Sequence, residues 1–81
     1  MNLLITRRAR NDYEALPPPT QKLVDKQLTF LVNDLHHPSL KAKKYDERRG
    51  VWQARITRDY RVYFVIEKDT YVILSMTKHP K

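Results

Sequence analysis

Three runs dense in Val, Ile, Tyr and Phe follow one another in the C-terminal part of the chain: Val51 to Thr57, Arg61 to Glu67 and Tyr71 to Thr77. Only Arg58-Asp59-Tyr60 and Lys68-Asp69-Thr70 separate them. Links this short cannot hold a crossover, so the runs are expected to form an antiparallel three-stranded meander. Side chains alternate along a strand, so parity assigns the faces. Trp52, Ala54 and Ile56, then Val62, Phe64 and Ile66, then Val72, Leu74 and Met76 are expected to stack as one apolar face. With three-residue loops, the register puts Arg55 opposite Tyr63, with Ser75 beyond it, and Arg61 opposite Thr77. The second face then gathers Gln53, Arg55, Arg61, Tyr63, Ser75 and Thr77, with His79 just past the last strand.

The apolar face needs a cover, and the first half of the chain supplies one. Leu3-Leu4-Ile5 reads as a short strand. From Thr6 to Leu16 the spacing is helical: Thr6 is a candidate N-cap, and Ala9, Tyr13 and Leu16 share one side. Arg7 and Arg8 fall in the first turn, where the helix dipole disfavours cations, so something other than helix stability keeps them there. Pro17-Pro18-Pro19 ends this helix. A second is expected from Thr20 to Leu35, with Val24, Leu28, Leu31 and Leu35 as its buried stripe, Lys22 and Lys26 on the opposite side, and Pro38 closing it. The two helices should form an antiparallel hairpin. Residues 39–50 read as a basic connection ending at Gly50, the only glycine. The fold class expected is therefore α+β: an N-terminal strand, a helical hairpin and a meander in one sheet, as a single domain over residues 1–81.

Sixteen Lys and Arg against nine Asp and Glu leave a net charge of +7, which favours a polyanion or an acidic protein as partner. No apolar run approaches the roughly 20 residues of a membrane span. Met1 to Ile5 is too short for a secretory core and has no small-residue cleavage site after it. The absence of cysteine excludes disulfides, thiolate metal sites and a cysteine nucleophile, and fits a cytoplasmic protein.

Arg55 and Arg61 on one sheet face can form a phosphate-binding fork, or simply solvate the strands. His79, beside Lys78, is a candidate proton shuttle, or a histidine of a loose tail. His36 and His37 sit at a helix end, where His37 can complement the dipole; no third ligand follows at a familiar spacing, so no metal is expected. Tyr45 and Tyr63 can stack on bases or pack on the sheet. Lys41, Lys43, Lys44, Arg48 and Arg49 make a cationic strip suited to a phosphate backbone. No phosphate loop, nucleophile elbow or metalloprotease helix is present.

The element order and the basic sheet face resemble the RelE/ParE toxin superfamily of bacterial toxin–antitoxin modules over nearly the whole chain. The stretch that carries the resemblance is Val51 to Ile66, where Trp52-Gln53-Ala54-Arg55 is followed by Tyr60-Arg61-Val62. A helix ending in His37-Pro38 and a Leu/Lys-rich connection also fit. The resemblance implies a metal-independent, ribosome-dependent endoribonuclease, an mRNA interferase neutralised by a cognate antitoxin in a hetero-oligomer. It implies that Arg55 and Arg61 bind phosphate and that Lys78 and His79 move protons. Lys22, Lys26, Lys41, Lys43, Lys44, Arg58 and Tyr63 would hold RNA. Gln53 stands where some members carry lysine, and Pro80 where a subset has an acid. Longer relatives continue past this chain's end, some with a catalytic tyrosine, so a reduced or ribosome-completed site is implied. The alternatives are a ParE-like inhibitor of DNA gyrase and a catalytically weak antitoxin-binding homologue.

Overall fold

The computed structural model describes residues 1–78. The elements run β1 (Asn2–Ile5), α1 (Arg7–Glu14), α2 (Pro18–Asn33), a 3-10 turn (Pro38–Leu40), β2 (Lys43–Asp46), β3 (Val51–Arg55), β4 (Tyr60–Glu67) and β5 (Thr70–Lys78). The strands form one sheet in the order β1-β5-β4-β3-β2. β1 is parallel to β5; the other pairs are antiparallel. No described helix is long and apolar enough to cross a membrane.

The expected helical hairpin and meander are both present. Thr6 caps α1, its hydroxyl accepting from Ala9 N at 3.2 Å. The second helix begins before Thr20, because prolines in a first turn have no amide to lose. It ends at Asn33 rather than Leu35: the Asp34 carboxylate accepts from His36 N at 2.9 Å, closing a turn that competes with the helix. His37 does not end that helix. It stacks on Phe30, with ring centroids 3.9 Å apart, and its Nδ1 caps the 3-10 turn by accepting from Ser39 N at 3.1 Å.

The basic connection is partly a strand. β2 pairs Lys43 with Gln53 and Lys44 with Trp52, and Lys44 Nζ sits 5.3 Å from the indole centroid. Four residues, Lys43-Lys44-Tyr45-Asp46, lack an apolar alternation because β2 is an edge strand, where lysines block further pairing.

Two features reset the expected register. Ile56 N and Thr57 N both donate to Tyr60 O, at 3.1 and 3.3 Å, so the β3–β4 turn closes one residue earlier in the chain than expected. Arg55 therefore opposes Arg61, and Gln53 opposes Tyr63. In β5 the pairing slips between Tyr63↔Ser75 and Phe64↔Ile73, leaving Leu74 as the extra residue of a bulge. Beyond that point the parity of β5 inverts. Met76 stays in the core, but Ile73 and Tyr71 take the places expected of Leu74 and Val72. Ile66 is exposed instead of buried. The β4–β5 turn has two residues, Lys68-Asp69, with Lys68 at a positive φ of 55°.

The core joins Ala9, Leu16, Val24 and Leu31 of the helical half to Ala54, Val62, Phe64, Ile73 and Met76 of the sheet, with Leu40 of the 3-10 turn. Phe64 is the largest fully buried side chain and meets Tyr71 edge-on at 5.5 Å. Gln27 is buried among these groups without violating their polarity. Its Nε2 donates to Arg55 O (2.7 Å) and Ser39 O (3.2 Å), and its Oε1 accepts from Ser39 Oγ (3.0 Å), so one amide ties α2 to the 3-10 turn and to β3.

Candidate functional site

The helices leave the second face of the sheet open. The register sets Gln53, Tyr63 and Ser75 side by side there, and Arg55, Arg61 and Thr77 in the next row. A cleft of about 400 Å³ opens on this face. Tyr63, Ser75 and Thr77 form its floor with Leu74, which the bulge turns towards it; Tyr45 and Arg49 come from β2 and the β2–β3 turn, Lys78 from the end of β5 and Arg8 from α1.

Arg8 reaches a sheet face from a helix because α1 runs alongside the second half of β5, where β1 has ended. Thr6 Oγ1 donates to Ile73 O at 2.7 Å and also lies 3.2 Å from Leu74 O. The Asp12 carboxylate accepts from Met76 N at 3.0 Å. The bulge is thus held at both sides by α1, and Arg8 Nε lies 3.7 Å from the same Asp12 oxygen. Across the cleft, Asp46 Oδ2 receives Arg49 Nε at 2.7 Å while Oδ1 accepts the amides of Arg48 and Arg49. The Arg49 guanidinium keeps the Asp46 carboxyl below the usual carboxylate range. Gly50 closes this turn at φ 67°, where a side chain would be strained.

Tyr45 and Tyr63 meet edge-on, with centroids 4.9 Å apart. Tyr45 is exposed and Tyr63 buried, and burial pushes the Tyr63 phenol above its ordinary range. Next to Tyr63, the buried Gln53 Oε1 has no hydrogen-bond partner among the described residues. The site therefore offers cations, hydroxyls and an aromatic platform on a wide concave surface. These groups suit a phosphorylated ligand with a planar base.

Of the residues singled out from the sequence, Lys78, Tyr63 and Tyr45 line the cleft, with Ser75 and Thr77 of the second face. Arg55 and Arg61 share its face in the adjoining row without lining it. Arg61 Nη1 donates to Thr57 O (2.8 Å), Arg58 O (3.1 Å) and Tyr60 O (3.1 Å), which organises the β3–β4 loop. His79 lies outside the described residues. Lys26 and Lys41 border a second groove, with Arg55 and Gln27, on the helix side. Lys41 adopts a left-handed conformation (φ 45°) after the 3-10 turn. Lys43, opposite Gln53, shares the cleft's face without lining it, and Lys22, Lys44 and Arg58 are exposed without lining it. Sequence reasoning did not assign Arg8 to the site, although its place in a helix's first turn was a signal. Arg49 was read only as part of a strip.

The family described as "ParE toxin of type II toxin-antitoxin system, parDE" matches residues 3–79. No curated protein matches the sequence. Among solved structures, a YoeB/ParE toxin from Agrobacterium tumefaciens superposes with a TM-score of 0.82 at 16% identity, covering 99% of this chain and 100% of that one. The YoeB dimer from Staphylococcus aureus gives 0.81 at 18% identity, covering 99% and 98%. The RelBE2 toxin–antitoxin complex from Mycobacterium tuberculosis gives 0.74 at 25% identity, covering 96% of each chain.

Proposed function

The chain belongs to the ParE toxins of type II toxin–antitoxin systems, within the RelE/ParE superfamily, and on that premise we propose that it is an mRNA interferase acting on ribosome-bound message. The observation that carries this reading is the cleft on the open sheet face, where Arg8, Arg49 and Lys78 surround Tyr45, Tyr63 and two hydroxyls. Its partner is a cognate antitoxin, the second protein of a type II module.

Cleavage of an RNA strand by its own 2′-oxygen needs three things. A proton must leave the 2′-hydroxyl, charge on the phosphate must be offset, and the departing 5′-oxygen must be protonated. In this reading Lys78 and His79 move the protons. Arg55 and the part of the Arg61 guanidinium not bound to loop carbonyls offset charge on the phosphate. Tyr63 supports the base, while Lys22, Lys26, Lys41, Lys43, Lys44 and Arg58 engage ribosomal RNA. Neither a metal ion nor an organic cofactor enters this scheme.

The test is primer extension on mRNA from programmed ribosomes incubated with the purified protein, beside Arg55→Ala and Lys78→Ala. Cuts within the decoding site, weakened at least tenfold by each substitution, are the expected result. Intact message on ribosomes that bind the protein overturns the reading. The family description, which names ParE, favours a second one, inhibition of DNA gyrase. Loss of supercoiling by gyrase in the protein's presence would support it.

A further inference from the structure

Arg8 and Arg49 reach the same cleft from different elements, yet both are held in the same way. Each turns its Nε towards an aspartate on its own segment: Asp12 at 3.7 Å for Arg8, Asp46 at 2.7 Å for Arg49. Each aspartate is fixed in turn by backbone amides, that of Met76 in the first case and those of Arg48 and Arg49 in the second. A guanidinium anchored through Nε keeps its terminal nitrogens for another acceptor, in a known orientation.

Neither ion pair is there for stability. The two arginine side chains are 69% and 76% exposed, and exposed ion pairs contribute little. Arg8 also sits where its helix disfavours a cation. What the aspartates supply is aim. Beside the arginines, the exposed ring of Tyr45 stands edge-on to Tyr63, a surface on which one unpaired base can rest.

We propose that Arg8 and Arg49 are a clamp for the phosphate backbone of single-stranded RNA, with Tyr45 as the platform for a base and with Asp12 and Asp46 as positioning residues. The proposal rests on the reading of the cleft as an RNA site. It adds two phosphate ligands to the residues assigned above. An aromatic pair in a cleft of this size suits an unpaired nucleotide rather than a duplex.

The probe is a short fluorescent 2′-O-methyl RNA, which lacks the attacking hydroxyl and so reports binding without cleavage. Affinity is measured by anisotropy at several salt concentrations. Arg8→Gln and Arg49→Gln should each weaken binding about tenfold and lower the salt slope by about 0.7. Arg→Lys at either position should keep the slope but not the affinity, since lysine has no Nε anchor. Asp12→Asn and Asp46→Asn give the sharper readout. Each removes a negative charge from the cleft rim, which by itself strengthens RNA binding; loss of aim predicts several-fold weakening instead.

Unchanged affinity and slope in Arg8→Gln and Arg49→Gln overturn the clamp. Tighter binding by the two Asn variants overturns the positioning role. Thermal unfolding confirms that each variant is folded: the arginines are exposed, and asparagine keeps a carbonyl oxygen to accept the amides that Asp12 and Asp46 hold. Binding that behaves as expected while ribosome-bound message stays intact would sink the interferase reading and leave the clamp standing. Cleavage indifferent to both arginines would do the reverse.

Discussion

Arg61 donates from one nitrogen to three carbonyls of the loop that precedes it. A strand arginine read as a phosphate ligand therefore has a structural duty as well, and its loss has two consequences. Arg61→Ala should lower stability by about 1 kcal/mol, because Thr57 O and Arg58 O lose a charged donor and fall back on water, while Tyr60 O keeps the Ile56 and Thr57 amides. Arg55→Ala, whose side chain makes no such bond among those described, should leave stability within about 0.5 kcal/mol. Urea unfolding midpoints of the two variants separate these cases. Any toxicity assay on Arg61→Ala has to be read against that stability loss, which makes Arg55 the cleaner probe of phosphate binding.

At the scale of elements, the bulge in β5 decides which side chains enter the core and which enter the cleft. It is held by α1, through the Thr6 hydroxyl on Ile73 O and the Asp12 carboxylate on Met76 N. Thr6 also caps its own helix. Thr6→Val should therefore cost about 2 kcal/mol, combining a lost cap with the loss of the hydroxyl bond to Ile73 O, which keeps only the Thr6 amide as donor. Thr6→Ser, which keeps the hydroxyl, should recover most of it. Chemical denaturation of the pair tests this, and equal stability of the Val and Ser variants would refute it. Leu74 illustrates why parity alone misassigned part of β5. Alternation is reliable only while pairing is continuous, and one extra residue inverts every assignment between the bulge and the turn. The signal for the bulge lies in the packing of α1, some 60 positions away in sequence, so no local pattern in β5 announces it.

For the whole molecule, the distribution of titrating groups sets the response to pH. Burial is the chief reason that the phenols of Tyr63 and Tyr71 lie above their ordinary value of 10.0. A group whose folded pKa is raised stabilises the fold fully below its unfolded pKa and ceases to do so as pH rises through the folded value. Stability should therefore hold to about pH 10 and fall above it. Tyr63→Phe, which removes one ionising phenol, should flatten part of that fall; urea midpoints between pH 8 and 11 provide the comparison. If the wild-type and Tyr63→Phe curves fall in parallel, the Tyr63 contribution is absent.

The chain's own order of residues was enough to determine the classes of element, their succession and most of the core. Periodicity and prolines bound the helices, and three β-rich runs with short links admit only one simple meander. Val24, Leu31, Ala54, Val62, Phe64 and Met76 are buried as their spacing demands. A cationic open face and the Trp52–Arg55 and Tyr60–Val62 stretches were likewise legible. Tertiary structure alone decided the lysine-rich edge strand β2, the five-strand order, the register at Arg55 and the bulge at Leu74. It also decided that Gln27 is a buried tie and that Arg8 reaches a sheet face. The physical reason is the same throughout. Burial of an apolar stripe is a local property of composition and period, whereas a hydrogen bond such as that from Met76 N to Asp12 exists only after distant segments have met.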